Sequence, residues 1–540
     1  MSLSRRTRSV VSLAFAAALV ATAAAVTGSG AAHAANGSGS GGNVDRNADL
    51  TFAYAAGPLG FDPLRGTPIL LPYLGAVYDR LTQINDDLEV EPMLAESWQF
   101  SADGDTLEFK LRDDATFTDG TKIDAAAVKA NIDRARSAPY SSQLTALRSV
   151  TNVEAVNPTT VRLTITPGQG VQLPSVFAGA AGMIVNPKAI ADPNTADLTQ
   201  GPGEGNESGP YRLESTTLGL GAGEAQFVQR DDWNKYWDKT AGRIKRLRII
   251  GIITGAQRIN AVRAGDINMG QVTGIDVPQA KQLVDSGELD GKLYSQVTTL
   301  QALAMKATRP PLDNPDLRKA IKAAIDQQAM SQGLYSGLCE VSNQDYPSQH
   351  WAHVAALDSK KPYNVARARK LLADSGVSNP NLTLVYAGIY QAQAQVAKDM
   401  LGEIGINVEL VPAPTQPGGP SFANGAFDMQ WSHLVSVDPG DTMNNTYLND
   451  TAPLVPLIPP SDQAEFDPLV EQLNNPRATQ AERRKVWAQI SRKLDQNAYV
   501  VPVCNASQVW LHDGSIANID DLLQEWSGLV DFRYLYKTKT

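Results

Sequence analysis

Only two cysteines, Cys339 and Cys504, and five histidines occur in 540 residues. Each scarcity removes a class of chemistry. No CxxC pair is present, so nothing supports a redox role. Of the histidines, His350 and His353 are spaced for one face of a helix, as a metal-ligand pair would be. They sit in a Pro- and Ser-flanked stretch with no Cys or acid at ligand spacing, so packed or solvated side chains are expected and no metal site. A serine nucleophile elbow, a zincin helix and a cysteine-protease signature are all missing. The acidic pairs Asp86-Asp87 and Asp113-Asp114 fall at turns and read as solvated edges. No catalytic residue and no cofactor are predicted, and an enzyme has no positive support. Gly201 to Gly209 is glycine-rich but lacks the Gly-Lys-Ser/Thr of a phosphate loop. Gly219, Gly221 and Gly223 lie between two strand-like runs and predict a hairpin. Basic charge is also short, with 47 basic against 57 acidic side chains and a formal net charge of −10. That balance, without a basic patch carrying interleaved aromatics, disfavours nucleic acid or anionic membrane as a partner.

What is present begins with a targeting pattern. Arg5, Arg6 and Arg8 form a positive n-region, Val10 to Val26 an apolar Ala-rich h-region, and Ala32-His33-Ala34 a small-residue cleavage site. The run is short and weakly hydrophobic for a span of ~20 apolar residues, and no later run qualifies. Residues 1–34 are therefore expected to be a signal peptide, with Ala35 opening the mature chain. Ser4-Arg5-Arg6 leaves both the general secretory and the twin-arginine routes open. Residues 35–43 read as a flexible Gly/Ser linker. Export permits one disulfide between Cys339 and Cys504, which would close a long loop; two separate buried thiols are the alternative. At 43% hydrophobic and 19% charged, the chain is long enough for more than one domain.

The most informative stretch runs from Val77 to Arg134. Leu94 to Trp98 reads as a short apolar turn ending on an aromatic. Thr106 to Arg112 alternates with period two, as a half-buried strand does. Asp103-Gly104 and Asp119-Gly120 are turn dipeptides. Asp124 is placed as the N-cap of a helix. Further along, Leu50 to Ala55 predicts a strand, and Thr151 to Asn157 with Thr160 to Thr166 a β-pair. Gln257 to Ala264 predicts a helix closed by Gly265, and Pro315 to Met330 another. Leu382 to Tyr386, a helix from Gln391 to Ile404, and Asn407 to Val411 make a β-α-β unit. Ala481 to Asn497 predicts a long amphipathic helix.

In order and spacing, Tyr78-Asp79-Arg80-Leu81, Leu94 to Trp98, Ser101 to Gly104, Phe109-Lys110-Leu111-Arg112 and Phe117-Thr118-Asp119-Gly120 resemble the family 5 extracellular solute-binding proteins. These are the peptide-, nickel- and sugar-binding receptors of ABC importers. The resemblance extends from about Leu50 to Trp526. It implies an α/β, two-lobed periplasmic-binding-protein-like fold of the class II type with an extra inserted domain. The expected division is 44–78, 205–300 and 500–540 for the first lobe, 79–204 for the inserted domain and 301–499 for the second lobe. Strands near Leu300 to Leu303 and Tyr499 to Val503 would form the hinge. Lys306 stands where the family commonly has Asn. Family receptors often carry a lipid on a Cys just after the signal; this chain has none there. The expected location is therefore exported, in a periplasm, cell envelope or medium, without a lipid anchor.

The resemblance also implies the site. The loop Gly57 to Pro63, with Phe61 and Asp62, would lie near the cleft, although an ordinary turn explains it equally. The segment from Trp431 through His433 to Asp438-Pro439 would line the ligand. Val435 stands nearest the position where peptide receptors place an acid, so Asp438 or Asp441 would have to supply a counter-charge; a turn before Pro439 is the competing explanation for Asp438. The function implied is a monomeric receptor capturing a small solute, a peptide or peptide-like compound, for an ABC permease. A sugar or chelated nickel, or an exported sensor or hydrolase on the same scaffold, are the alternatives.

Overall fold

The computed structural model describes residues 44–66, 68–85, 88–191, 198–295, 299–413, 421–434, 438–449, 455–519, 524–525 and 529–539. The expected signal peptide and linker lie outside them, as does Val435. The side chain of His433 also lies outside the description.

Two mixed sheets carry the chain. The first has seven strands, in the order 290–294, 508–512, 269–273, 49–54, 246–251, 224–229, 211–217. Asp49–Tyr54 sits centrally, parallel to both Arg246–Gly251 and Met269–Thr273. Its alternate residues Leu50, Phe52 and Tyr54 are buried in one core, and Ala53 in the core on the opposite face. Phe52 packs on Trp510 and on Phe532, with ring centroids 5.7 and 4.3 Å apart. The C-terminal tail is thereby built into the first core. The helix Gly255–Ala264 ends at Gly265, whose φ of +77° is a left-handed conformation that glycine adopts without a Cβ clash.

The second sheet has six strands, in the order 339–341, 500–506, 300–305, 429–434, 381–386, 407–412. The strands Asn381–Tyr386 and Asn407–Pro412 are parallel and joined by the helix Gln391–Gly402, the expected β-α-β unit. Val500–Ala506 is buried at every residue and pairs with Leu300–Met305 on one side and Cys339–Val341 on the other. The sequence placed Val500 at the return to the first lobe. The structure corrects this: a strand apolar on both faces belongs between two neighbours, and the sheet changes only at Ser507. Likewise Leu300–Met305 lies wholly inside the second sheet. Among the described residues the chain leaves the first sheet after Tyr294 and returns to it at Ser507, and the Ala506 N–H donates to the Thr299 carbonyl at 3.1 Å.

Between Asp79 and Glu207 the chain builds a third unit, a four-stranded antiparallel sheet in the order 95–100, 106–111, 160–165, 150–157. The helix Ala125–Ser137 covers it, capped as expected by Asp124, which accepts from the Ala127 N–H at 2.9 Å. Leu107, Phe109 and Leu111 face this core, as their period-two spacing requires. The unit leaves and rejoins the first lobe through adjacent strands of chain: the N–H groups of Ser208 and Gly209 both donate to the Val77 carbonyl. A Cβ on Gly209 would lie 2.8 Å from the Val77 carbonyl carbon, so this approach admits only glycine.

Two further expectations need correction. Ala95–Phe100 is a strand, not an apolar turn; its outer residues are exposed because it forms the edge of the small sheet. The single helix from Pro315 to Met330 is two, Pro315–Ala324 and Gln327–Tyr335. Asp326 adopts an extended backbone and its carboxylate accepts from the Ala329 N–H, starting a new helix.

In the second lobe, burial pushes the Asp345 carboxyl up to about 6, although Tyr447 donates to it at 2.8 Å and favours its ionised form. Its ordinary value is 3.8, so the folded state holds this proton more tightly than the unfolded chain. Stability contributed by the protonated form is therefore lost as pH rises from about 4 to about 6. Asp345→Asn should raise stability at pH 7.5 by about 1–3 kcal/mol and give no gain at pH 4. Calorimetric melting at the two pH values measures it.

Candidate functional site

In open α/β sheets, ligands bind beyond the carboxyl ends of the parallel strands. In the first sheet those ends are Tyr54, Gly251 and Thr273; in the second they are Tyr386, Pro412 and Leu434. The loops that follow carry Leu59, Ile253 and Ile275 in the first lobe and Ile389 in the second, each 41–48% exposed. Leu220 joins them, because the Gly57 N–H donates to its carbonyl at 2.7 Å. Five of the seven large exposed apolar side chains among the described residues thus gather at these ends. Apolar side chains left in water at one place mark a surface with a partner.

The lobes meet at these ends: the turn Gly274–Asp276, which follows Thr273 of the first sheet, lies against the helix Gln327–Tyr335 of the second lobe. Leu338, beside the disulfide-bonded Cys339, packs against the first lobe's second core. The inserted unit also reaches the second lobe: Arg148 donates to the Asn444 side chain at 2.6 Å, and the Val171 N–H to the Asn474 carbonyl at 3.2 Å.

Arg258 fastens the first lobe's loop bases. Its guanidinium donates to the carbonyls of Gln271, Ile252 and Ile253, the last at 2.9 Å. Lys306 does the same in the second lobe. Its ammonium donates to the carbonyls of Val455 and Ala423 and lies 4.6 Å from the Phe422 ring centre. Burial lowers the Lys306 pKa to about 8.

The residues expected at the ligand fall as follows. Phe61 is fully buried in the first core, edge-on to Phe227, and its carbonyl accepts from the Tyr78 hydroxyl at 3.1 Å. Asp62 caps the turn Pro63–Arg65 and forms a two-pronged ion pair with Arg134 at 3.0 and 2.7 Å, both buried. Trp431 is buried in the second core, and its indole N–H donates to Gln301 at 3.3 Å. His433 pairs through its backbone with Gln301. Asp438 caps Pro439–Thr442 and is gripped by Arg483 at 2.7 and 2.8 Å. Asp441 accepts from the Asn445 side chain one turn on. Trp431, His433, Asp438 and Asp441 therefore share one strand-and-loop segment, while Phe61 and Asp62 stand on the opposite lobe. The side chains of Phe61, Asp62, Trp431 and Asp438 are each committed to a core or an ion pair.

His350 stacks on Tyr346 with centroids 4.2 Å apart, and His353 bonds Asp358 at 2.8 Å, so the two do not converge. Among the described residues no group of three or more His, Cys, Asp or Glu could hold a metal ion. No helix among them is long and apolar enough to cross a membrane. Cys339 and Cys504 form a disulfide with Cα atoms 5.4 Å apart. Sequence reasoning missed Arg258: an arginine in the first turns of a helix after a parallel strand was a visible signal, but only the folded loop bases show what it holds.

The model of the bacterial extracellular solute-binding proteins, family 5, matches residues 89–453. The chain belongs to that family. Its members are periplasmic or extracellular substrate-binding receptors. The glutathione-binding protein GsiB of Salmonella paratyphi A is 26% identical over 341 residues, and that of Escherichia coli strain K12 is 24% identical over the same length. Each match takes in 62% of this chain and spans 63% of the relative's length. Among solved structures, DppA of Helicobacter pylori in complex with the peptide STSA aligns with a TM-score of 0.78 at 19% identity. It covers 92% of this chain and 99% of that one. NikA of Brucella suis in complex with Fe(III)-EDTA aligns at 0.75 with 22% identity, covering 91% and 100%. These neighbours show that this family 5 protein has the two-lobed periplasmic-binding-protein fold.

Proposed function

We propose that this family 5 protein is an exported, monomeric receptor that closes its two lobes around a small peptide or peptide-like solute and presents it to an ABC permease. The observation that carries this reading is that two separate sheets turn their parallel-strand ends to the junction between the lobes, with exposed apolar side chains on both sides and two crossings of the chain among the described residues. A hinge of that kind lets ligand contacts made in the closed state alone shift the open–closed population. Glutathione and STSA, bound by similar proteins, support a peptide-like guest. No bond is made or broken in this cycle, so the protein needs no catalytic group. Within the segment around Trp431, we assign His433 and the adjoining backbone to the ligand. Phe61, Asp62, Trp431 and Asp438 then position the loops that carry the contacts, and Asp441 stands at the rim.

Small-angle scattering tests the mechanism. Di- to pentapeptides and glutathione should include at least one that lowers the radius of gyration, with mass spectrometry of natively purified protein naming any solute already bound. An unchanged radius with every peptide, but compaction with a histidine–nickel chelate, would transfer the reading to chelated metal. No compaction with any probe overturns closure itself.

A further inference from the structure

The inserted unit touches both lobes, and the two junctions differ in kind. Toward the first lobe it is fixed by buried charge. Asp62 of the first lobe pairs with Arg134 of the helix Ala125–Ser137, and Asp79, Arg533, Asp531 and Arg80 tie the entry of the unit to the C-terminal tail. Arg230, 1% exposed at the end of a first-sheet strand, donates to the carbonyls of Thr116 and Phe117 inside the unit, at 3.2 and 3.1 Å.

Toward the second lobe the contacts are polar and lie along one seam. Arg148, an exposed side chain, donates to the Asn444 side chain at 2.6 Å. The Val171 N–H donates at 3.2 Å to the carbonyl of Asn474, the last residue of the helix Asp467–Asn474. The chain just past that helix lies against the Asp103-Gly104 turn: a Cβ on Gly104 would stand 3.3 Å from the Arg477 side chain and 3.6 Å from that of Pro476. One on Gly168 would stand 3.9 Å from the Glu471 side chain. The buried apolar cores of the inserted unit and of the second lobe share no residue among those described. Domains joined by a polar contact of this kind move relative to one another.

The second-lobe side of the seam is the end of a helix and a loop near the expected ligand segment. The last carbonyls of a helix have no partner within it. Arg483 takes that of Leu473 at 2.8 Å, and the inserted unit takes that of Asn474. Asn444, 5% exposed, lies in the turn Met443–Tyr447, where the Leu448 N–H reaches back five residues to the Met443 carbonyl at 2.8 Å. Such wide turns are frequent at functional sites. This one follows directly on Pro439–Thr442, which Asp438 caps. Arg148 thus holds, through Asn444, the segment that carries Asp438 and Asp441.

We propose that the inserted unit is the clasp of the closed form: Arg148 and the Val171 amide hold the second lobe against the first and so favour closure from outside the ligand contacts. This rests on the lobe-closure reading above and adds what sets its open–closed balance. The unit is fixed to the first lobe, so a swing about the chain crossings at Tyr294 and Ser507 parts Arg148 from Asn444 and Val171 from Asn474. Opening exposes only polar groups that water can satisfy, and the seam remakes itself on closing.

Hydrogen exchange and small-angle scattering test the clasp, on protein freed of any solute by unfolding in guanidinium chloride and refolding. Arg148→Ala removes one hydrogen bond from a charged donor and should lower the closed-to-open ratio about tenfold. The Val171 amide should then exchange about tenfold faster, and the radius of gyration should rise above that of the wild type. Arg148 is exposed, so the lobes keep their folds and the Tm stays near the wild-type value. Unchanged exchange at Val171, or faster exchange with no rise in radius, overturns the clasp and leaves closure intact, provided a solute compacts the wild type. A radius that responds neither to Arg148→Ala nor to any di- to pentapeptide, glutathione or histidine–nickel chelate overturns closure itself and the clasp with it.

Discussion

Arg533→Ala should cost about 3–5 kcal/mol of stability, the penalty for removing one partner from a buried ion cluster. Arg533 lies between Asp79, at 3.0 Å, and Asp531, which in turn binds Arg80 at 2.9 Å. All four side chains are 2% exposed or less. Asp79 also accepts from the Tyr236 hydroxyl and the Trp237 indole, each at 2.7 Å. The cluster thus joins the entry to the inserted domain, the aromatic segment after the hairpin and the C-terminal tail. Burial alone would raise the Asp531 carboxyl, but Arg533 and Arg80 hold it below its ordinary value of 3.8. Its stabilising contribution is therefore present above that value and lost as pH falls through the lower, folded one. In Arg533→Ala both carboxylates stay buried with less positive charge beside them, and the variant should lose stability most steeply at neutral pH. Denaturant titration read by tryptophan fluorescence measures the change. The exposed pair Arg212–Asp231 is the control, since its loss in Arg212→Ala should leave the midpoint unmoved. An Arg533→Ala protein as stable as the wild type would remove this cluster as the tie between tail and first lobe.

Loss of the disulfide is the second large effect. The bridge spans 165 residues and so constrains a long loop of the unfolded chain. Cys339→Ala with Cys504→Ala should destabilise by about 2–5 kcal/mol in the chain-entropy account. The bridge joins two paired strands of the second sheet, and its neighbours reach the lobe junction. The Ser507 N–H donates to the Leu338 carbonyl at 3.4 Å, and Leu338 packs on the first lobe. The loss should therefore appear first as increased hydrogen exchange in 339–341 and 500–506. Exchange unchanged there, with Tm unchanged on reduction, would show that the short strand 339–341 is held by its ladder alone.

The ion pairs at Asp62 and Asp438 explain why aspartates next to prolines mislead as site residues. An Asp-Pro pair marks a loop, and loops at strand ends are where ligands bind, so both positions drew attention. The partners that neutralise them, Arg134 and Arg483, lie 72 and 45 residues away in sequence. No local pattern announces such pairing.

Local order needed no tertiary information. Period-two alternation from Thr106, the cap at Asp124, the glycine stop at Gly265 and the β-α-β unit from Leu382 are all consequences of backbone geometry and side-chain burial on one face. The ordered motifs from Tyr78 to Gly120 were enough to indicate the family and, through it, the two-lobed fold. Tertiary structure alone decided which sheet receives a strand that is apolar on both faces, as Val500–Ala506 is, because such a strand fits either. It alone decided which charges are spent on one another, because burial and pairing join residues that the chain keeps far apart.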